Sequence, residues 1–504
     1  MALVRSCRPQ ARGHRPQLTM HPRSGRRSKP RQQTAADSLY LQPVPEATAT
    51  AALKHTLGLR DVTLLAVACI VGTRWIPAAA HAGPGSVTLW LAAALLFAVP
   101  LAVAVGALTV KYPGLAGGLY AWTREDFGRW HGFLCFWVYW MGIAFLLPTA
   151  ALFYMGAGFY TLGPKYAHLA DNRFCLLAAA LVAIWVALGT NLRGVDVGKW
   201  TENIGAGACW LLGVMLIVLA VLVGAKRGSA TPIHVLPKWD WGTVNFWSNI
   251  AYGLSGVEMA AMMGAEIRDP ARTLPRAGWI ASGFATVFYS ATTVAMLVLL
   301  RPEKISELNG LAEAGESAGL ALGALWLPPL MAVLVMASAV GQFGGFGASV
   351  SRLPFAAGVD HLLPRAFSRV HPRWGTPYVS ILTFGAMASF LLLIFQLGDS
   401  LRAAYQEMVS LMVITGFLPY VYIFGSAWKA GKRLSAISGW AITLLAILCS
   451  LVPTEAIANI WIFEGKLAAG TLAVVASAWL VYRRAEHSLQ RFGDAEANQQ
   501  ELKE

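Results

Sequence analysis

The stretch VTLLAVACIVGTRWIPAAAHAGPG, from Val62 to Gly85, starts as an apolar helix and stops behaving like one halfway. From Val62 to Gly72 is about ten residues, or roughly 15 Å at 1.5 Å per residue. A hydrocarbon core is about 30 Å thick. The interruption at Gly72, Thr73, Arg74 and Trp75 therefore falls near the bilayer midplane. Glycine loosens a helix, and Pro77 removes a backbone donor and clashes with the preceding turn. Broken helices at that depth survive only where protein or a water-filled cavity satisfies the freed backbone groups. An arginine there costs about 2.5–3.5 kcal/mol on insertion scales, so Arg74 should face a cavity or a partner. A proline kink with a structural arginine is the plainer alternative.

Composition places this helix in a membrane. Of 504 residues, 56% are hydrophobic and only 13% charged, against about 25% charged in soluble domains. An all-α polytopic membrane protein is expected. Twelve apolar segments have roughly membrane length. They fall at about 62–83, 86–110, 131–161, 173–192, 201–224, 243–265, 277–300, 323–345, 377–397, 403–426, 436–457 and 466–483. The six cysteines show no paired spacing, so neither a disulfide framework nor a metal site is expected. No HExxH, GxSxG or glycine-rich phosphate loop occurs, and no cofactor is implied, which argues against an enzyme.

The net charge of +14 would suit a nucleic-acid partner, but topology accounts for it. With both termini inside, 30 of the 40 lysines and arginines face the cytoplasm and nine face out. That bias is the positive-inside pattern, so residence in the cytoplasmic membrane is expected and nucleic acid is not. Residues 1–55 read as a basic, disordered cytoplasmic tail and 486–504 as a second tail, flanking a twelve-helix domain over 56–485.

The sixth segment repeats the oddity of the first. In TVNFWSNIAYGLSGVEMAAMMGAE, Gly253, Ser255 and Gly256 lie about 15 Å in, and Glu258 is an acid among apolar residues. Interrupted segments at corresponding places in two halves point to a transporter site. Segments 1 and 6 stand five apart, which suggests two inverted five-helix repeats, about 62–224 and 243–426, with extra helices at 436–483. Half-helix amides suit a carboxylate and half-helix carbonyls suit an ammonium group, so a zwitterionic amino acid fits both. Close helix packing is the alternative for Gly253 and Gly256, and a buried ion pair is the alternative for Glu258.

Four blocks resemble amino acid permeases of the amino acid–polyamine–organocation superfamily. They are GLRDVTLLAVACIVGT with AGPGSVTLWL (Gly58–Thr73, Ala82–Leu91), YPGLAGGLYAWTREDFG (Tyr112–Gly128), SGVEMAAMMGAEIRDPARTLPRA (Ser255–Ala277) and SRLPFAAGVDHLLPRAFSRVHPRWGTP (Ser351–Pro377). The resemblance implies a LeuT-type fold of twelve helices with helices 1 and 6 broken. It also implies a secondary active transporter that moves amino acids by proton-coupled symport or by exchange, similar to glutamate/γ-aminobutyrate-type antiporters. Backbone amides of Gly72, Thr73 and Arg74, beside Trp75, would hold the substrate carboxylate. Carbonyls of Ala251, Tyr252 and Gly253 would accept its amine, near Ser255 and Gly256, and Glu258 would sense protons. A transceptor and a polyamine or organic-cation transporter remain alternatives.

Two departures from the family pattern stand out. Arg74 replaces the second glycine of the first break, and Cys209 stands where some proton-coupled relatives carry a lysine. Arg74 could pair with a second substrate carboxylate, as in glutamate or aspartate, or with the carboxylate of γ-aminobutyrate. It could instead brace helices 1 and 6 by pairing with Glu258, and that use weighs more.

Overall fold

The computed structural model describes residues 56–501, apart from 113–114, 116, 194, 233–235, 237–240, 396–399 and 455–456. The expected basic tail, residues 1–55, lies outside them. Among the described residues every regular element is a helix, and the sole β contact is an isolated bridge between Leu57 and Ile267.

The first expected segment forms two helices, α1 (Leu59–Ile70) and α2 (Trp75–His81), bent by 44°. There follow α3 (Ser86–Lys111), the short α4 (Leu119–Phe127), α5 (Arg129–Phe159), α6 (Arg173–Leu192) and α7 (Val195–Arg227). The sixth segment also forms two helices, α8 (Trp241–Gly253) and α9 (Val257–Met262). Beyond it lie α10 (Pro270–Leu299), the short α11 (Gly310–Leu322), α12 (Leu327–Val350), the short α13 (Arg352–Val359), α14 (Tyr378–Phe395), α15 (Leu401–Lys429), α16 (Arg433–Ser450) and α17 (Ile460–Glu501). Among the described residues ten helices are long and apolar enough to cross a membrane, and the bent pair α1–α2 makes an eleventh. The interrupted pair α8–α9 occupies the sixth expected place outside that number.

Some local expectations are corrected. Pro77 does not break the first helix. It sits in the first turn of α2, where its missing N–H is one the helix would leave unpaired anyway. The seventh helix starts at Pro270, capped by the Asp269 carboxylate, rather than near residue 277. The last helix runs on to Glu501, past the expected end at 483.

Packing is close where small residues meet. A Cβ on Gly142 of α5 would lie 3.0 Å from the backbone nitrogen of Gly416 on α15, and one on Gly205 of α7 would lie 2.3 Å from Gly341 of α12. Such contacts let helix backbones approach without a hydrophobic drive between them. Helix α3 carries a π turn at Ala94–Ala98, just before Pro100. Pro100 has no N–H to give the Leu96 carbonyl four residues back. The Ser438 hydroxyl of α16 donates to that carbonyl at 2.7 Å, and the Ser435 hydroxyl donates to the Pro100 carbonyl at 2.6 Å.

The end expected to face the cytoplasm is laced across elements. Thr56 and Leu57 donate to the Glu266 carbonyl at 3.0 Å, and Arg268 donates back to Leu57 at 3.1 Å. The Glu266 carboxylate pairs with Arg352 of α13 at 2.8 Å, both buried. Asp360 takes the Tyr120 hydroxyl and the Arg124 guanidinium from α4. Arg272 is exposed and reaches its neighbour Asp269 at 3.9 Å.

At the opposite end, Glu307, between α10 and α11, accepts from the Gln406 amide of α15. Burial pushes its carboxyl up to about 7, while Arg402 and Gln406 pull it down. Its ordinary value is 4.5, so between the two the folded protein holds a proton that the unfolded chain releases. This group's contribution is complete below the lower value and is lost as pH rises through the upper one. Glu307→Gln, a mimic of the protonated form, should melt like the wild type near pH 5 and above it near about pH 8. Scanning fluorimetry checks this, and superimposable melting temperatures at both pH values would sink it.

Candidate functional site

The two breaks face one another in the centre of the helix bundle, and all ten residues singled out from the sequence are buried. Gly256 has φ +118°, and a Cβ there would lie 3.1 Å from the Cys69 carbonyl at the end of α1. Gly253 lies under two indoles, with Trp90 and Trp75 at 2.9 and 3.2 Å from the position of a Cβ. Trp75 also meets the Tyr252 ring edge-on at 5.8 Å. The glycines of the second break therefore allow the first break to sit against it, as the packing alternative held, without excluding a ligand.

The backbone at the first break is partly satisfied. Gly72 N–H donates to the Tyr289 hydroxyl of α10 at 2.8 Å, and that hydroxyl donates to the Ile70 carbonyl at 2.8 Å. The Gly72 amide, expected to meet a substrate carboxylate, is thus engaged in this conformation. The N–H groups of Thr73 and Arg74 donate to nothing among the described residues. At the second break Ala251 and Tyr252 carbonyls accept turn bonds from Leu254 and Ser255, while the Gly253 carbonyl accepts none among the described residues. Ser255 closes its own turn through its hydroxyl at 2.7 Å.

Arg74 is 3% exposed. It donates to the Thr149 hydroxyl of α5 at 2.6 Å and to the Met412 sulfur of α15 at 3.0 Å. Its guanidinium carbon lies 4.0 Å from the Trp75 ring centroid. No carboxylate among the described residues lies within 4 Å of it. A hydrogen bond to a charged group is worth about 1.5–3 kcal/mol, and a desolvated cation–π contact about 2. Together they offset an insertion cost of about 2.5–3.5 kcal/mol, so Arg74 can remain charged without an acid. Only two of its five donors are used in these contacts.

Glu258 is fully buried, but it is not the partner of Arg74. Its Oε1 accepts the Tyr139 hydroxyl of α5 at 2.6 Å and the Tyr420 hydroxyl of α15 at 2.8 Å. Its Oε2 accepts Gly256 N–H at 3.1 Å. The brace between Arg74 and Glu258 that weighed more on sequence grounds does not form. Each charge is held instead by neutral groups of α5 and α15.

Several contributors went unread in the sequence. Tyr154 donates to the Gln342 amide oxygen of α12 at 2.8 Å, next to Thr73 and Ser338. A Cβ on Gly72 would strike the Gln342 amide at 2.3 Å. Tyr139, Thr149, Tyr154, Tyr289, Gln342 and Tyr420 share one legible signal, a polar group inside an apolar segment. Cys209, at the place of the missing lysine, lines a small apolar gap with Val67, Ala68 and Ser338.

The family model described as amino acid permease matches residues 57–480. An uncharacterized transporter of Legionella pneumophila is 27% identical, over 86% of this chain and 98% of its own length. A probable agmatine/putrescine antiporter of Lactococcus lactis is 24% identical, over 78% of this chain and 86% of its own. A serine/threonine exchanger of Bacillus subtilis is 25% identical, over 76% and 86%. The chain belongs to the amino acid permease family; it is an integral membrane transporter and not an enzyme.

The contact of Gly256 with α1 gives a direct test. Left-handed backbone costs a non-glycine residue about 1–2 kcal/mol, and here the Cβ also meets a carbonyl. Gly256→Ala should lower the melting temperature in detergent, while Gly283→Ala, with open space around its Cβ, should not. Equal melting of the two variants would contradict the close approach of the breaks.

Proposed function

We propose that this permease exchanges amino acids by alternating access, and that Arg74 selects substrates with an acidic side chain. The observation that carries this reading is a buried guanidinium with no carboxylate within 4 Å among the described residues. The free N–H groups of Thr73 and Arg74 suit the α-carboxylate, and the Gly253 carbonyl suits the α-amine. The Arg74 side chain is then left for a second carboxylate, which it can grip bidentately. Exchange is favoured because the names of two relatives are those of an antiporter and an exchanger.

In this reading the unit carrying α1, α2, α8 and α9 rocks against α5, α12, α13 and α15. The Glu258 bonds to Tyr139 and Tyr420, and the Glu266–Arg352 pair, cross that boundary and must break and reform in each cycle. Glu258, fully buried and bonded across that boundary, couples a proton to the motion in this reading. A cationic substrate, suggested by the Lactococcus relative and by Glu258 itself, would have to approach Arg74 and is the second reading.

Proteoliposome counterflow decides between them. Wild type should exchange glutamate and aspartate, with putrescine inert. Arg74→Ala should lose about 10- to 100-fold of that exchange, the worth of one charged hydrogen bond, and keep any exchange of neutral amino acids. Putrescine exchange with glutamate inert would replace the first reading by the second. Glu258→Gln should leave counterflow measurable while removing any stimulation by an inward proton gradient. Stimulation that survives the substitution would place proton coupling elsewhere.

A further inference from the structure

Away from the central site, the outer surface holds a groove of about 560 Å³ between α3, α10 and the turn joining α15 to α16. Its wall is apolar and small: Ala102, Val103, Gly106 and Ala107 on α3, with Pro275 on α10. Its floor is tight, since a Cβ on Gly106 would lie 3.3 Å from the Pro275 side chain. Its rim carries Lys111, Lys432 and Trp279, the last 47% exposed.

The charges of the rim differ in what they already hold. Lys111 is paired with Asp126 at 2.8 Å. Lys432 is exposed with no acid within 4 Å among the described residues, and so is Arg276, one residue beyond Pro275. The apolar wall runs from Ala102 to Lys111 along one membrane helix, a rise of roughly 14 Å. That is about half of a roughly 30 Å hydrocarbon core, the depth of one leaflet. An apolar slot of leaflet depth, with cations and an indole at one end, has the chemistry of a lipid tail below a phosphate headgroup. A free anion would have no use for the slot.

We propose that this groove binds an anionic phospholipid of the leaflet that the positive-inside pattern assigns to the cytoplasm. One acyl chain lies along Ala102–Ala107, and the phosphate meets Lys432, with Arg276 adding to the local field. Helix α3 and the α15–α16 turn are both contacted, so the lipid bridges two parts of the bundle.

Native mass spectrometry of the full-length protein in detergent tests this without any transport assay. Phosphatidylglycerol should be retained over phosphatidylcholine. Lys432→Gln should cut the phosphatidylglycerol adduct about fivefold, the weight of one cation near an anionic surface. Ala107→Trp, which fills the slot and leaves the rim charges in place, should remove the preference as well. Equal retention of the two lipids by the wild type overturns the proposal. So does an adduct unchanged by Ala107→Trp, which puts the lipid elsewhere. Displacement of the adduct by inorganic phosphate alone would make the rim an anion site without a lipid, and also overturns it.

Discussion

A single hydroxyl spans the gap in the first membrane helix. Tyr289 accepts from Gly72 N–H and donates to the Ile70 carbonyl, and so supplies the hydrogen bonds that water would give a soluble loop. The remaining central architecture depends on this substitution. With Gly72 held, Thr73 and Arg74 turn into the bundle and α2 restarts at Trp75. Trp75 then reaches Tyr252 and Gly253, and the second break is fixed against the first. Trp90, stacked on Tyr289 at 4.3 Å, holds the ring in place from α3.

The two buried ionisable side chains of the core obey one rule. Arg74 is stabilised by a hydroxyl, a thioether and an indole face, and Glu258 by two phenols and a backbone amide. Neutral ligation satisfies each ionisable group in a low-dielectric setting without setting a counter-charge against it. A direct ion pair would have tied the two broken helices together and removed both charges from use. Here both charges instead reach out from the broken helices to α5 and α15, so a change in either is felt at the same boundary.

How far the sequence shows this depends on distance along the chain. Both breaks were legible at Gly72–Trp75 and Gly253–Gly256, because glycine and a charge within an apolar run are local signals. Pro77 misled, since a proline that ends one helix looks the same as one that opens the next. The partners of Arg74 come from positions 149 and 412, and those of Glu258 from 139 and 420. No periodicity links residues so far apart, and the same charges could equally have met one another. The π turn was hidden too, although Pro100 and the serines of α16 were present to be read together.

That pair of serines has a mechanical meaning. Pro100 leaves a vacant carbonyl at Leu96, and Ser435 and Ser438 fasten α16 to the disrupted stretch of α3. Helix α16 lies outside both expected repeats, yet it also packs along α15. It is joined to a helix next to the first break on one side and to a wall of the central site on the other. If α3 travels with the first break, α16 must bend, slide or let go of a serine at every turnover. An accessory helix by position in the chain is thus joined to both sides of the central site.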